Sequence, residues 1–117
     1  MKYLQIFAGE SARQQIAQHG FSQQLFSTML GASGGPKWFS LYGLDRYMFG
    51  EFFADRQTPL DLVGSSAGSY RFAALSQDDP LAAIERLASF YSHVTYSKTT
   101  SAKEISLTAD EVLDFVL

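Results

Sequence analysis

Ser66 lies at the centre of Gly64-Ser65-Ser66-Ala67-Gly68, a G-x-S-x-G pentapeptide. The apolar pair Leu62-Val63 stops abruptly where it begins, and a helix-compatible run, Arg71-Phe72-Ala73-Ala74-Leu75, follows it. A strand, a sharp turn and a helix with serine at the apex make a nucleophile elbow. Glycines two before and two after the serine, Gly64 and Gly68, relieve crowding at such a turn, which lifts the Ser66 hydroxyl above the sheet edge. The N–H of Ala67, at the helix start, then faces the oxygen that becomes negative during acyl transfer. Ser66 is the expected nucleophile. The same spacing also suits a tight turn that needs small residues and does no chemistry.

A second glycine turn lies upstream in Gly31-Ala32-Ser33-Gly34-Gly35-Pro36-Lys37-Trp38. A phosphate-binding P-loop ends in Gly-Lys-Ser/Thr. Here Pro36 removes an N–H donor and Trp38 stands where the hydroxyl residue belongs, so a nucleotide site is not expected. No glycines have dinucleotide G-x-G-x-x-G spacing either. An oxyanion hole suits the loop better: Gly34 and Gly35 can direct successive N–H groups at one point, and Lys37 adds positive charge near a helix start. Two strand-end turns, each followed by a helix, belong side by side at the carboxyl edge of a parallel sheet.

Other chemistry is thinly supplied. His93 follows Ser66, as a Ser-His-Asp order requires, but it ends a helical stretch, where histidine favours the dipole or faces solvent. His19, just before Gly20, reads the same way. Two distant histidines without clustered carboxylates make no metal site. No cofactor is expected. There is no cysteine, which removes thiolate catalysis, disulfides and Cys-based metal sites. A net charge of -3 without any long basic run argues against nucleic acid. Lys2 precedes too short and polar a run for a secretory signal, and no apolar run approaches bilayer length; a soluble, cytoplasmic protein is the expectation. The hydrophobic share of 46% points to a packed chain rather than a disordered one.

The elements that must position the serine read as strands alternating with helices, an α/β layer structure with a mainly parallel sheet. Strands are expected at Tyr3–Ala8, Leu25–Leu30 and Leu60–Val63, and helices at Glu10–His19, after Pro36, and at Ser69–Leu75. Behind Pro36, residues Trp38, Leu41, Tyr42, Met48, Phe49 and Phe52 fall mostly on one helical face. Asp79-Pro80 caps the next helix, whose stripe is Leu81, Ile84, Leu87, Ala88 and Tyr91. A loop is expected over Thr95–Thr100. Ser101–Glu104 and Thr108–Glu111 both have capping-box form, and the last helix carries Val112, Leu113, Val116 and Leu117. Aromatics are abundant, at 15%. Trp38, Phe39, Tyr42, Tyr47, Phe49, Phe52 and Phe53 read as core first, with a few at the site edge meeting an acyl chain or, transiently, a membrane surface.

Taken together, the loop Gly-Ala-Ser-Gly-Gly-Pro-Lys-Trp and the elbow Gly-Ser-Ser-Ala-Gly, in that order, resemble the patatin-like phospholipase family, and in particular a bacterial patatin-like subgroup. The resemblance implies a three-layer α/β fold and a serine acyl hydrolase acting on lipid or lysophospholipid esters. It matches Gly34 and Gly35 to oxyanion glycines, Lys37 to the basic position and Ser66 to the nucleophile. Ser33 and Trp38 depart from the glycines that many members have. The family's dyad aspartate sits in a later Asp-Gly-Gly or Asp-Gly-Ala motif. None occurs here: Asp78, Asp79, Asp110 and Asp114 all lack a following glycine, and Asp79 and Asp110 read as helix N-terminal residues. Residues 1–117 are therefore expected to be the N-terminal part of one such domain, with its base beyond Leu117. A non-catalytic lipid- or protein-binding relative and an acyltransferase are the alternatives; oligomeric state is open.

Overall fold

The structure is a computed structural model and describes residues 5–95, 97 and 99–117. It is a mixed α/β arrangement whose sheet has two parallel strands. Strand β1 is Thr28–Gly31 and β2 is Asp61–Gly64, paired so that Thr28 faces Asp61 and Gly31 faces Gly64. The helices are α1 (Glu10–His19), α2 (Tyr42–Tyr47), α3 (Ala67–Leu75), α4 (Pro80–His93) and α5 (Ala102–Val116).

The first expected strand is not formed over its described part. Gln5–Ala8 has no regular structure, while Tyr3 and Leu4 lie outside the described residues. A strand exists through its ladder, and this segment has no neighbour to pair with: Ile6 and Phe7 are exposed. The second strand begins three residues later than its apolar residues suggest, because Gln23–Leu25 closes a 3-10 turn. Arg56 fixes the entry to both strands. Its guanidinium donates to the carbonyls of Gln23 (2.6 Å), Phe26 (2.6 Å), Thr58 (2.8 Å) and Pro59 (3.0 Å). The Asp61 N–H then donates to the Ser27 carbonyl at 2.8 Å, which sets the register.

The helix expected after Pro36 changes pitch along its length. Residues Gly35–Leu41 form a 3-10 helix, Tyr42–Tyr47 an α-helix and Met48–Phe52 a π-turn closed by Phe53 N–H to the Met48 carbonyl at 2.8 Å. The wider final turn gathers Phe52 and Phe53 against Phe21 and Phe26, with ring centroids 4.9–6.3 Å apart. Helix α3 covers one face of the sheet and α4 covers α3. The core runs through Trp38, Phe72, Ala74, Leu75, Ala83, Ile84, Leu87, Val112 and Val116, with Met29 and Leu62 packed on it. Side chains alternate across a strand, so Leu30 and Val63 project from the other face, 80% and 56% exposed. Helix α1 buries no residue.

Helix ends follow local chemistry. The Asp79 carboxylate accepts the Ala82 N–H at 3.0 Å. Ser101 and Glu104 form a complete capping box. The second expected box is not one: Thr108 lies inside α5 and its hydroxyl donates to the Glu104 carbonyl at 3.0 Å. One uninterrupted helix outcompetes a break because Ala102–Val116 contains neither glycine nor proline. For the same reason Asp110 is an exposed mid-helix residue, not a helix start.

The Glu104 carboxylate accepts the Ser101 N–H at 2.6 Å and the Ser101 hydroxyl at 2.7 Å, and these bonds hold its pKa below the ordinary value of 4.5. A depressed carboxylate pKa contributes stability above its unfolded value, lost as pH falls through the folded one. We expect the protection factors of amides in the first turn of α5, measured against intrinsic exchange at each pH, to fall as pH drops below about 4.5. In Glu104→Gln that acid-dependent step should vanish; a step that persists would assign it to another group.

Candidate functional site

The parallel register brings the two glycine turns to one edge. Gly31 and Gly64 are partners, so the loops leaving β1 and β2 start side by side. The Ser65 N–H donates to the Gly31 carbonyl at 2.9 Å, carrying the ladder one step past β2. The chain then reverses. The Gly68 N–H donates to the Ser65 carbonyl at 3.0 Å, closing a turn with Ser66 at its second position.

Ser66 has φ 52° and ψ -122°, and it is the one non-glycine residue with positive φ among those described. These angles belong to the second position of a type II′ turn, where glycine is the usual occupant. A serine held there is strained by about 1–3 kcal/mol. Its side chain makes no cap hydrogen bond to α3 and the residue is exposed. An ordinary serine at a helix start caps it; this one is held in a strained turn with no capping bond. The Gly68 and Ser69 N–H groups donate to the Ser65 and Ser66 carbonyls, whereas the Ala67 N–H opens α3 with no carbonyl of the helix to accept it, so the helix start presents partial positive charge beside the serine.

Two glycines make the turn geometrically possible. A Cβ on Gly64 would lie 2.5 Å from the Ser69 nitrogen and 2.6 Å from the Gly68 carbonyl, so β2 meets the first turn of α3 backbone to backbone. A Cβ on Gly68 would lie 2.1 Å from the Gly31 oxygen. Through Gly68 the start of α3 rests directly on the end of β1.

The upstream loop leaves the same edge. Gly34 has extended backbone at φ 174° and Gly35 is left-handed at φ 53°. The Lys37 N–H donates to the Gly34 carbonyl at 3.2 Å, and Pro36 sits in the first turn of the 3-10 helix, which packs against α3. Gly34 and Lys37 are exposed, Gly35 is half-buried and Trp38 is buried. Ser66, Ala67, Gly64 and Gly68 thus share one turn, with Gly34, Gly35 and Lys37 on the neighbouring strand exit.

A cavity of about 240 Å³ lined by Ser66 and Ala67 lies between α3, α4 and α5. Its aromatic wall is Tyr70, Phe90 and Tyr91, none of which belongs to the stretch Trp38–Phe53 singled out in the sequence. Within that stretch Trp38 and Phe53 are core. Trp38 stacks on Phe39 at 4.5 Å and meets Tyr91 edge-on at 5.9 Å.

Behind the elbow lies a pair that the sequence reading missed. Arg71 Nε donates to Asp45 Oδ2 at 2.8 Å and Nη2 to Oδ1 at 2.6 Å, with both side chains at most 5% exposed. The signal was positional. Asp45 falls on the apolar stripe Trp38, Tyr42, Phe49 and Phe52, and Arg71 on the stripe Gly68, Phe72 and Leu75.

His93 ends α4 with Nδ1 2.7 Å from the Ser89 carbonyl, and it does not line the cavity at Ser66. His19 ends α1. Among the described residues no group of three His, Asp or Glu side chains could hold a metal, and no helix is long and apolar enough to cross a membrane. No protein-family model, curated protein or solved structure matches the chain.

Proposed function

We propose that Ser66 is the nucleophile of a serine acyl hydrolase of the patatin-like type, acting on lipid or lysophospholipid esters. One observation carries this reading: Ser66 occupies a glycine conformation at a strand-to-helix turn, exposed and without a capping bond. Strain of that kind persists only where the surroundings over-determine it, and it clusters at sites of chemistry.

In the reaction, Ser66 Oγ attacks the ester carbonyl and the carbonyl oxygen takes the negative charge. The N–H of Ala67 at the start of α3, with those of Gly34 and Gly35, stabilises that oxyanion. The bond to the leaving alkoxide breaks, the serine proton passes to the alcohol, and water then releases the acyl group as a carboxylic acid. The family's proton acceptor is the aspartate of an Asp-Gly motif; this sequence has none, and the reading assigns that role to a residue outside these 117. The three-layer form of the fold draws support from the open face bearing Leu30 and Val63, since parallel sheets are covered on both faces.

The test is activity-based labelling of the natural full-length protein with an alkyl fluorophosphonate, alongside p-nitrophenyl ester turnover. Wild type should label at Ser66, and Ser66→Ala should lose both label and turnover. Unchanged turnover in Ser66→Ala removes the assignment. Folded wild type without label or turnover favours the non-catalytic binding reading.

A further inference from the structure

We infer that α5 acts as a ruler for the acyl chain, setting a preference for straight chains of about eight to ten carbons. The inference rests on the hydrolase reading of Ser66 and deepens it.

Ser66 and a face of α5 line the same cavity, so whatever is joined to the reacting carbonyl can enter it. Its α5 wall is Ile105, Thr108, Ala109 and Val112, spaced i, i+3, i+4 and i+7, which is one face of a helix. That face behaves in two ways. Val112 is 5% exposed and belongs to the core, whereas Ile105 is 47% exposed and Ala109 is half-buried. The helix packs on α4, and this face is buried toward its C-terminal end and exposed toward its N-terminal end. The only hydroxyl on this wall, that of Thr108, donates back to the Glu104 carbonyl. The remaining wall residues are Ala67, Phe90 and Val94 with the hydroxyl-bearing Ser66, Tyr70 and Tyr91, so the lining carries no charged side chain. Apolar walls leading from a nucleophile suit a hydrocarbon tail; a charged head group would lose its hydration there without a charged partner.

Two measures give the length. A cavity of about 150 Å³ holds benzene, and on that scale 240 Å³ holds about nine or ten carbons. From Ile105 to Val112 the helix rises about 10 Å. An extended chain advances about 1.2 Å per bond, so that distance takes about eight or nine bonds.

The experiment measures kcat/KM of the natural full-length protein for acetyl, butyryl, octanoyl, decanoyl and palmitoyl p-nitrophenyl esters, in wild type and two variants. Octanoyl and decanoyl esters should exceed both acetyl and palmitoyl by at least about tenfold, because each methylene in an apolar pocket adds discrimination that stops when the pocket is full. Ala109→Phe fills the cavity halfway along and should move the optimum to butyryl or shorter. Ile105→Ala, at a partly exposed site that tolerates truncation, should widen the cavity and raise palmitoyl relative to octanoyl; this variant keeps the test decisive if Ala109→Phe fails to fold. A flat profile, a palmitoyl optimum in wild type, or an optimum that neither variant moves overturns the ruler while Ser66-dependent turnover leaves the hydrolase reading standing. If no ester is hydrolysed in a Ser66-dependent way, both fall.

Discussion

Ser66→Gly should make the protein more stable and inactive at once. At φ 52° and ψ -122° the serine Cβ is crowded by its own backbone, at a cost of about 1–3 kcal/mol. Glycine adopts these angles freely, though its greater freedom in the unfolded chain returns about 0.5–1 kcal/mol. The side chain is exposed and makes no cap bond, so its removal opens no cavity and frees no buried group. A net gain of up to about 2.5 kcal/mol, centred near 1, remains. Ser66→Ala supplies the control: it removes the hydroxyl but keeps the Cβ, so it should be inactive without the gain. The comparison is of melting temperatures, with the glycine variant above the alanine variant by several degrees, about 4 °C per kcal/mol for a chain of this size. Equal melting temperatures would mean that the turn stores no strain, and the chief support for a nucleophile at Ser66 would go with it.

Asp45→Ala should cost about 3–5 kcal/mol, a third or more of the stability of a typical domain. The loss exceeds that of an ordinary core truncation because of what stays behind. Arg71 cannot shed its charge, it lies 4% exposed between α3 and α2, and Asp45 is its ion-pair partner. The converse prediction is sharper. Replacing both residues with apolar ones, Asp45→Leu with Arg71→Met, should come within about 1 kcal/mol of wild type or exceed it, because two desolvation penalties disappear together. Urea unfolding of the two single variants and the double variant gives the cycle. A double variant as unstable as the singles would show that the pair does more than cancel its own burial. Arg71 follows Ser66 by five residues on the helix that the elbow opens, so loss of ester turnover in a folded double variant would show that the pair also aims the serine.

Much of the frame was legible because it is written in local chemistry. Gly9 and Gly20 bracket α1 at its observed ends, Asp79-Pro80 opens α4, and Ser101 with Glu104 opens α5. The elbow was legible for the same reason: glycine spacing reports backbone crowding directly. Where the outcome depended on partners, the pattern was insufficient. Tyr3–Ala8 has a strand's composition, yet Gln5–Ala8 has no ladder to join. Thr108 has a cap's spacing, but a cap matters only where the helix would otherwise end. Asp45 and Arg71 each look like an interruption of an apolar stripe, and only the packing of α2 on α3 shows that each explains the other. The cavity depends on where α5 lies against α3 and α4, which no spacing within α5 encodes.

The contact of Gly68 with Gly31 also constrains how such a chain can change over generations. A side chain at position 68 would need the space that the Gly31 carbonyl fills, and one at position 31 would meet Phe72 at 2.8 Å and the Gly68 Cα at 3.1 Å. Position 68 is closed by the backbone carbonyl of residue 31, which any residue there keeps, and position 31 by the Phe72 ring and the Gly68 Cα, so each glycine is held by its own neighbours. Position 68 has no tolerated step away from glycine while β1 still carries α3, whereas a side chain at position 31 requires the Phe72 ring to move. Under the proposed role of Ser66, descendants of the chain can replace the serine at the apex and keep the fold. Gly68 would then outlast the proposed chemistry, as a mark of ancestry in proteins that no longer use it.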